Sequence, residues 1–377
     1  MIETARACTP AIAVLSASLA LFAGSQAQAQ APAPTVVASI QPLHSLVSAV
    51  MEGVGEPELL VRGANSPHDY SMTPADARAL SQADLVVWVG ESMELVLARP
   101  ISALAAKAVV LEAMEAEGVE ALKGREGGAW EAHADHDEHE AEGHGDAHGA
   151  EAHKDEHAHE AEDHKDEHAH EAEAHKDEHA HEAEAHKDEH AHEAEAHEHE
   201  HAHGALDGHI WLDPRNAMAI GQAAAEVLAR VDPANAARYR SNAESLIAGL
   251  RDLEQELAAT LAPVRSMPYI VFHDAYQYFE RRFGLNAVGS ITISPDRAPG
   301  AKRISEIRER LHETGAVCVF AEPQFEPALA RTVVEGTETR IGVLDPLGAD
   351  LAPGPAAYER LLRGLAASLS DCLTAAS

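Results

Sequence analysis

Residues 131–204 cannot join a hydrophobic core, and this limits the possible folds more than any other feature of the chain. The segment has no Leu, Ile, Val or Phe, and it holds 21 of the 26 histidines together with 27 carboxylates. From His153 onward it repeats an eleven-residue unit, HKDEHAHEAED and then three copies of HKDEHAHEAEA. A segment of this composition is expected to be disordered when it binds no ligand. The protein must therefore fold from the stretches on either side of it.

Imidazoles interleaved with carboxylates also predict metal binding by this segment. His153 and His157 are spaced i,i+4, and His157 and His159 are spaced i,i+2. We expect several weak zinc sites here, because nothing fixes the geometry of the ligands. The alternative is a solvated acidic spacer. The chain contains no H-E-x-x-H motif, which argues against a metalloprotease.

The N-terminus is typical of an exported protein. Residues 10–24 form an apolar run that is shorter than the ~20 residues of a membrane span, and Ala27-Gln28-Ala29 follows as an A-x-A cleavage site. We therefore predict a cleavable signal peptide of residues 1–29 and a soluble mature protein in the periplasm. The formal net charge of −35 repels phosphate backbones, which argues against nucleic acid as a partner.

The stretches that flank the His-rich segment alternate between short apolar runs and helical spacing, the pattern of βαβ units. The predicted strands are 36–40, 59–61, 85–89, 108–111, 269–272, 316–321 and 340–344. The predicted helices are 43–51, 74–81, 304–313 and 355–373. Strands this short and rich in β-branched residues favour parallel sheets that are buried on both faces.

A single long helix is predicted between the two halves. Asp232-Pro233 provides an N-cap followed by Pro at the first helical position, and helical spacing continues to Leu261, over about 43 Å. The fold class is therefore α/β, with two βαβ lobes joined by this helix. The predicted divisions are an N-terminal lobe of 30–130 and 205–231, the loop 131–204, a connecting helix of 232–262 and a C-terminal lobe of 263–377.

Three histidines outside the His-rich segment have contexts that suggest a metal site. His68 follows the strand 59–61 in a turn-rich loop, His273 follows the strand 269–272 directly, and His209 precedes a helix that begins near Pro214. Asp345 ends the strand 340–344. Ligands collect at the carboxyl ends of strands in open α/β sheets, and three imidazoles with one carboxylate suit Zn²⁺. The spacing along the chain cannot by itself bring the four together.

The remaining histidines and the cysteines have simpler interpretations. His44 is expected to start a helix and His312 to lie on a helix surface, so neither is taken as a ligand. Cys318 and Cys372 are the two cysteines of the mature chain. An even pair in an oxidising compartment predicts one disulfide; the alternative is two unrelated buried thiols.

Four sequence motifs resemble those of a known family. SPHDYSMTPAD, DGHIWLDP, FHDAYQYFE and VLDPLG occur in this order, as in the zinc-binding proteins of bacterial high-affinity zinc ABC importers (ZnuA-type), and the resemblance covers nearly all of 35–377. It implies metal in a cleft between two lobes, with His68 and His209 from the first lobe and His273 and Asp345 from the second. It also implies a disulfide that matches the two cysteines. Manganese-binding relatives have Glu at the position of His273, so the resemblance favours zinc.

The predicted function is capture of Zn²⁺ in the periplasm and its delivery to the membrane permease of a zinc ABC transporter, by a monomer without catalytic activity. One alternative is a secreted metal buffer that acts through residues 131–204. Another is an importer component for manganese, nickel or copper. A secreted zinc enzyme is disfavoured, because catalytic zinc keeps an open position beside a base and the predicted set has four ligands.

Overall fold

The computed structural model describes residues 32–125, 130, 206–292 and 299–374. All of these residues belong to one compact unit. The predicted signal peptide and the segment 131–204, with its expected disorder and weak metal sites, lie outside the described residues. None of the helices in the described ranges combines the length and apolarity that a bilayer-spanning segment needs.

The first lobe is built on a four-stranded parallel sheet with the order β2-β1-β3-β4. Its strands are β1 (Val36–Ala38), β2 (Glu58–Leu59), β3 (Leu85–Trp88) and β4 (Val109–Glu112). Its helices are α1 (Gln41–Val50), α2 (Pro74–Gln82), α3 (Glu91–Leu104) and α4 (Pro214–Val231). Every residue of the two central strands is buried, as the short apolar runs predict for a sheet covered on both faces.

The second lobe repeats this plan, with the parallel strand order β6-β5-β7-β8. Its strands are β5 (Pro268–His273), β6 (Asn286–Thr292), β7 (Cys318–Ala321) and β8 (Arg340–Val343). Its helices are α6 (Gln277–Phe283), α7 (Ala301–Thr314), α8 (Ala328–Val334) and α9 (Ala357–Thr374). A disulfide between Cys318 and Cys372 links β7 to α9, with the two Cα atoms 6.3 Å apart.

The connecting helix α5 spans Ala236–Leu261, 26 residues or about 39 Å. It begins three residues later than predicted, because Pro233–Asn235 form a separate 3₁₀ turn. The Asp232 carboxylate does not cap the backbone there. It accepts hydrogen bonds from Asn235 Nδ2 at 2.7 Å and from the Tyr239 hydroxyl at 2.9 Å.

One apolar core is continuous through both lobes. It joins residues of both sheets to the buried face of α5, among them Val36, Leu85, Leu250, Tyr269 and Phe320. The predicted architecture of two parallel βαβ lobes joined by a long helix is confirmed. Helices α3, α6 and α8 and strand β6 were not predicted. The shared core fixes the carboxyl ends of the strands of one lobe relative to those of the other.

Candidate metal centre

Three of the four predicted ligands converge between the two lobes. His68 lies in the loop between β2 and α2, His209 lies just before the 3₁₀ turn Ile210–Leu212, and His273 is the last residue of β5. One ring nitrogen from each histidine lies within 4.8 Å of the others. The ring centroids are 5.2 to 5.9 Å apart. Two loops of the first lobe and one strand of the second therefore contribute one imidazole each.

The space among the three rings is small, and both polar and apolar side chains border it. Its volume is about 10 Å³, roughly what one buried water molecule occupies. Besides the histidines, it is lined by Ser66, Pro67, Trp211, Glu322, Gln324, Phe325, Pro346 and Leu347. A single ion fits this volume.

The ring of His209 is oriented by Asp207. The Oδ1 atom of Asp207 lies 2.8 Å from Nδ1 of His209 and accepts a hydrogen bond from its backbone N–H at 3.0 Å. Nδ1 thus carries the proton, which leaves the lone pair of Nε2 for the cavity. Gly208 between them allows this turn to pack closely, since a Cβ there would lie 2.9 Å from the Cβ of Met93.

A second carboxylate orients His273. Nδ1 of this ring lies 2.7 Å from the nearer oxygen of Glu322, whose side chain is buried. Nε2 is directed towards His209, and the two Nε2 atoms are 3.3 Å apart. Metal-binding histidines commonly donate their other ring N–H to a carboxylate in this way, which fixes both the tautomer and the ring plane.

The electrostatics of the three rings differ. Burial, together with the rings of His209 and His273, holds the pKa of His68 well below its usual value. Burial and the charge of His273 likewise depress the pKa of His209. Burial also acts to lower the pKa of His273, but the charge and hydrogen bond of Glu322, together with the charges of Asp274 and Asp207, outweigh it and raise that pKa. Two rings are therefore neutral and ready to bind metal, and His273 takes the first proton.

The structure does not bring Asp345 into this group of ring nitrogens. Its Oδ1 accepts hydrogen bonds from the backbone N–H groups of Leu347 and Gly348 and from Gln324 Nε2, at 2.9 to 3.1 Å. Its Oδ2 accepts one from the backbone N–H of Ala349 at 2.6 Å. The carboxylate therefore organises the turn after β8, which places Leu347 against the cavity. A ligand role for Asp345 stays a prediction.

The family described as zinc-uptake complex component A, periplasmic (ZnuA), matches residues 36–372. The chain belongs to this family. The ZnuA protein of Brucella suis biovar 1, named a high-affinity zinc uptake system protein, is 50% identical over 359 residues, which are 95% of this chain and 97% of the relative. The ZnuA protein of Paracoccus denitrificans is 39% identical, over 97% of this chain and 99% of the relative.

Solved structures agree with the fold of this ZnuA family member. A zinc-bound ZnuA deletion mutant aligns with a TM-score of 0.63 at 21% identity, covering 90% of this chain and 98% of that one. A laminin-binding adhesin of Streptococcus agalactiae aligns with the same TM-score at 20% identity, over 90% of this chain and 100% of its own. At this identity the two structures support the architecture alone.

The roles of Asp207 and Glu322, which orient His209 and His273, were not predicted from the sequence of this ZnuA family member. Glu322 directly follows β7, so the rule that singled out His273 at the end of β5 would also have found it. Asp207 lies two residues before His209, in the same short motif. The two histidines set aside are not in the metal group: His44 is buried, with Nε2 3.0 Å from the carbonyl oxygen of Pro57, and His312 is exposed.

Proposed function

We propose that this protein binds Zn²⁺ between His68, His209 and His273 in the periplasm and delivers it to the membrane permease of a zinc ABC transporter. The observation that carries the proposal is the 3.3 Å separation of the Nε2 atoms of His209 and His273. Two nitrogens bound to tetrahedral zinc at ~2.0–2.1 Å lie roughly 3.3 Å apart. This spacing supports the two rings as ligands of one zinc ion.

The donor set favours zinc over harder ions. Imidazole nitrogen suits zinc, copper and nickel, whereas manganese and magnesium prefer carboxylate and water oxygens. The relatives from Brucella suis and Paracoccus denitrificans are named for high-affinity zinc uptake, and a related ZnuA structure holds zinc. This chemistry and these relatives support zinc as the cargo ahead of nickel, copper or manganese.

Asp345 is proposed as the fourth ligand. It belongs to the turn whose residues Pro346 and Leu347 border the cavity. To reach the ion, Oδ1 would exchange its hydrogen bonds from Gln324 or the turn for the metal. The three histidines are therefore expected to supply most of the affinity, and Asp345→Asn should weaken binding less than loss of any one histidine.

The cavity supports binding and release rather than catalysis. The space among the three rings, about 10 Å³, is that of one small ion or water molecule. His68 and His209 belong to the first lobe and His273 to the second, so separating the lobes would pull the ligand set apart. Because the two lobes share one apolar core, a small shift of the ligand-bearing segments on contact with a permease is the release step this arrangement favours.

The His-rich segment is proposed to add weak zinc sites and not the tight one. Its ligands must be ordered as each ion binds, at a cost in conformational entropy, while the cleft ligands are already in place. Export through the predicted signal peptide and action as a monomer complete the proposal. The competing function, a metal buffer, assigns the tightest site to residues 131–204.

A zinc titration separates these functions. Deletion of residues 131–204 should reduce the stoichiometry to about one zinc and leave the tightest dissociation constant nearly unchanged. In that background, alanine at His68, His209 or His273 should weaken binding more than about 100-fold, since loss of an outer-sphere partner already costs ~10–100-fold. His312→Ala, at an exposed histidine, is the matched control. Loss of tight binding on deletion alone would replace the cleft by the buffer.

A further inference from the structure

Arg125 connects the first lobe to the second. Its Nε lies 3.0 Å from both carboxylate oxygens of Asp274, and its Nη2 also donates to Asp274. Its Nη1 donates to Glu280 at 2.6 Å. The guanidinium lies over the ring of Trp130, 3.4 Å from its centroid, and the side chain is 20% exposed. This contact is a largely buried, multidentate bridge and not a surface ion pair.

The chain around Arg125 is also fixed to helix α6. Lys123 and Leu206 form an antiparallel bridge, and the backbone N–H of Asp207 donates to the carbonyl of Leu122 at 2.8 Å. The hydroxyl of Tyr278 accepts from the Leu122 N–H at 2.9 Å and donates to the Asp207 carbonyl at 2.6 Å. We name residues 122–125 and 206–207 the stem. The stem fastens these two stretches of the first lobe to the second lobe.

The stem contacts the neighbours of two proposed zinc ligands. Asp274, held by Arg125, immediately follows His273. Asp207, itself a stem residue, is hydrogen-bonded to the ring of His209. Arg125, in the first lobe, thus bonds the residue that directly follows a proposed ligand of the second lobe.

We propose that Arg125 is a positioning residue for the metal site: its grip on Asp274 holds His273 at the correct distance from His209. The inference rests on the proposed zinc site. Zinc needs its donors within a few tenths of an ångström of their places, and a site that is loosened by ~1 Å loses much of its function. Glu322 fixes the plane of the His273 ring, and Arg125 fixes the backbone that carries it.

Charge and geometry make opposite predictions for removal of Arg125. A cation near the site repels Zn²⁺, so electrostatics alone would make its loss tighten zinc binding. Geometry acts the other way, because Asp274 and Glu280 would lose the cation they share and repel each other within a buried cluster. This repulsion acts directly on the segment that carries His273. The multidentate bonding and the burial make geometry the larger effect.

The experiment measures the zinc dissociation constant and dissociation rate of the full-length protein in competition with a chelator that strips the weaker sites. Arg125→Gln should raise the dissociation constant about tenfold, the lower end of the range for outer-sphere partners, and should speed release. Arg125→Lys keeps the charge but not the planar fork, and it should also bind more weakly. The matched control is Arg281→Gln, which loses an exposed interlobe pair with Glu120, both side chains being 57% exposed, and should stay within about twofold of wild type.

Equal or tighter zinc binding by Arg125→Gln would overturn the inference. If that variant does not fold without metal, Arg125→Lys decides, since wild-type affinity there would show that the fork positions nothing. His273→Ala is measured in parallel. Weak binding by His273→Ala with normal binding by both Arg125 variants refutes the positioning role alone, whereas normal binding by His273→Ala refutes the proposed site.

Discussion

Nδ1 of His273 lies 2.7 Å from the carboxylate of Glu322, which directly follows the neighbouring strand of the same sheet. Parallel pairing of β5 with β7 brings the two strand ends together, so the contact follows from the topology. The carboxylate holds the proton on Nδ1, raises the pKa of the ring against the effect of burial, and leaves Nε2 directed towards His209. The proposed metal site is therefore prepared by the sheet and not by the loops alone.

Glu322→Gln tests this preparation. The amide keeps the shape of the side chain but removes the charge, so the zinc dissociation constant should rise about 10–100-fold. Because Glu322 raises the pKa of His273, the same substitution should lower that pKa in metal-free protein, as histidine NMR titration can measure. Glu326→Gln, on the exposed loop before α8, is the charge-matched control. Unchanged zinc affinity in Glu322→Gln would contradict the role of this carboxylate.

A buried acid in the first lobe predicts a specific pH dependence of stability. Burial raises the pKa of Glu94 to about 7, although hydrogen bonds from the backbone N–H groups of Val89 and Gly90 oppose the shift. Because the folded-state pKa is raised, the contribution of Glu94 to the free energy of unfolding is fully present below the unfolded pKa near 4.5. It is lost as pH rises through 7.

Glu94→Gln replaces the neutral acid by a neutral amide, and its free energy of unfolding should exceed that of wild type at pH 8. The difference is on the order of 3 kcal/mol, at ~1.36 kcal/mol per pKa unit, and it should vanish near pH 4. Urea unfolding of metal-free protein at several pH values measures it. The exposed Glu91 begins the same helix, and Glu91→Gln should show no such pH-dependent gain. A parallel pH profile for wild type and Glu94→Gln would contradict the prediction.

The disulfide closes a loop between β7 and α9, across a sequence separation of 54. The chain-entropy model assigns such a loop roughly 4 kcal/mol of stabilisation. Cys372→Ser should therefore lower the urea midpoint markedly but leave the zinc dissociation constant of the folded protein within about twofold. Thiol titration of denatured, unreduced mature protein should find no free thiol, and two free thiols would refute the bond.

Metal preference should depend on His273. His273→Glu replaces a borderline nitrogen donor by a hard oxygen donor and places it beside Glu322. Zinc affinity should fall, and the affinity for Mn²⁺ relative to zinc should rise. Competition between the two metals measures the ratio. An unchanged ratio would remove His273 from the ligand set.

Local sequence patterns predicted the repeated strands and helices because short β-branched runs and helical spacing are strong signals. They missed β6, whose sequence NAVGSIT includes Gly289 and has an exposed first residue. They also missed α3, which contains Pro100 and is interrupted by non-helical backbone at Glu94. In both elements, tertiary packing overrides a weak local preference.

The proposed metal site could likewise be predicted from the sequence only in part. His273 could be located from its place at a strand end, and Glu322 had the same signal without being recognised. The convergence of His209 with His273, 64 positions away, depends on packing between lobes that no spacing encodes. The position of Asp345 after β8 was read correctly, but the backbone N–H groups that surround its carboxylate are a property of the turn and only become visible in three dimensions.

Anomalous diffraction at the zinc edge from crystals of the zinc-loaded protein would locate the ion among its ligands. We expect one strong peak in the cleft, ~2.0–2.1 Å from a ring nitrogen of each of His68, His209 and His273, with Nε2 as the donor in the last two. A fully occupied zinc elsewhere, with no peak among these three rings, would contradict this expectation.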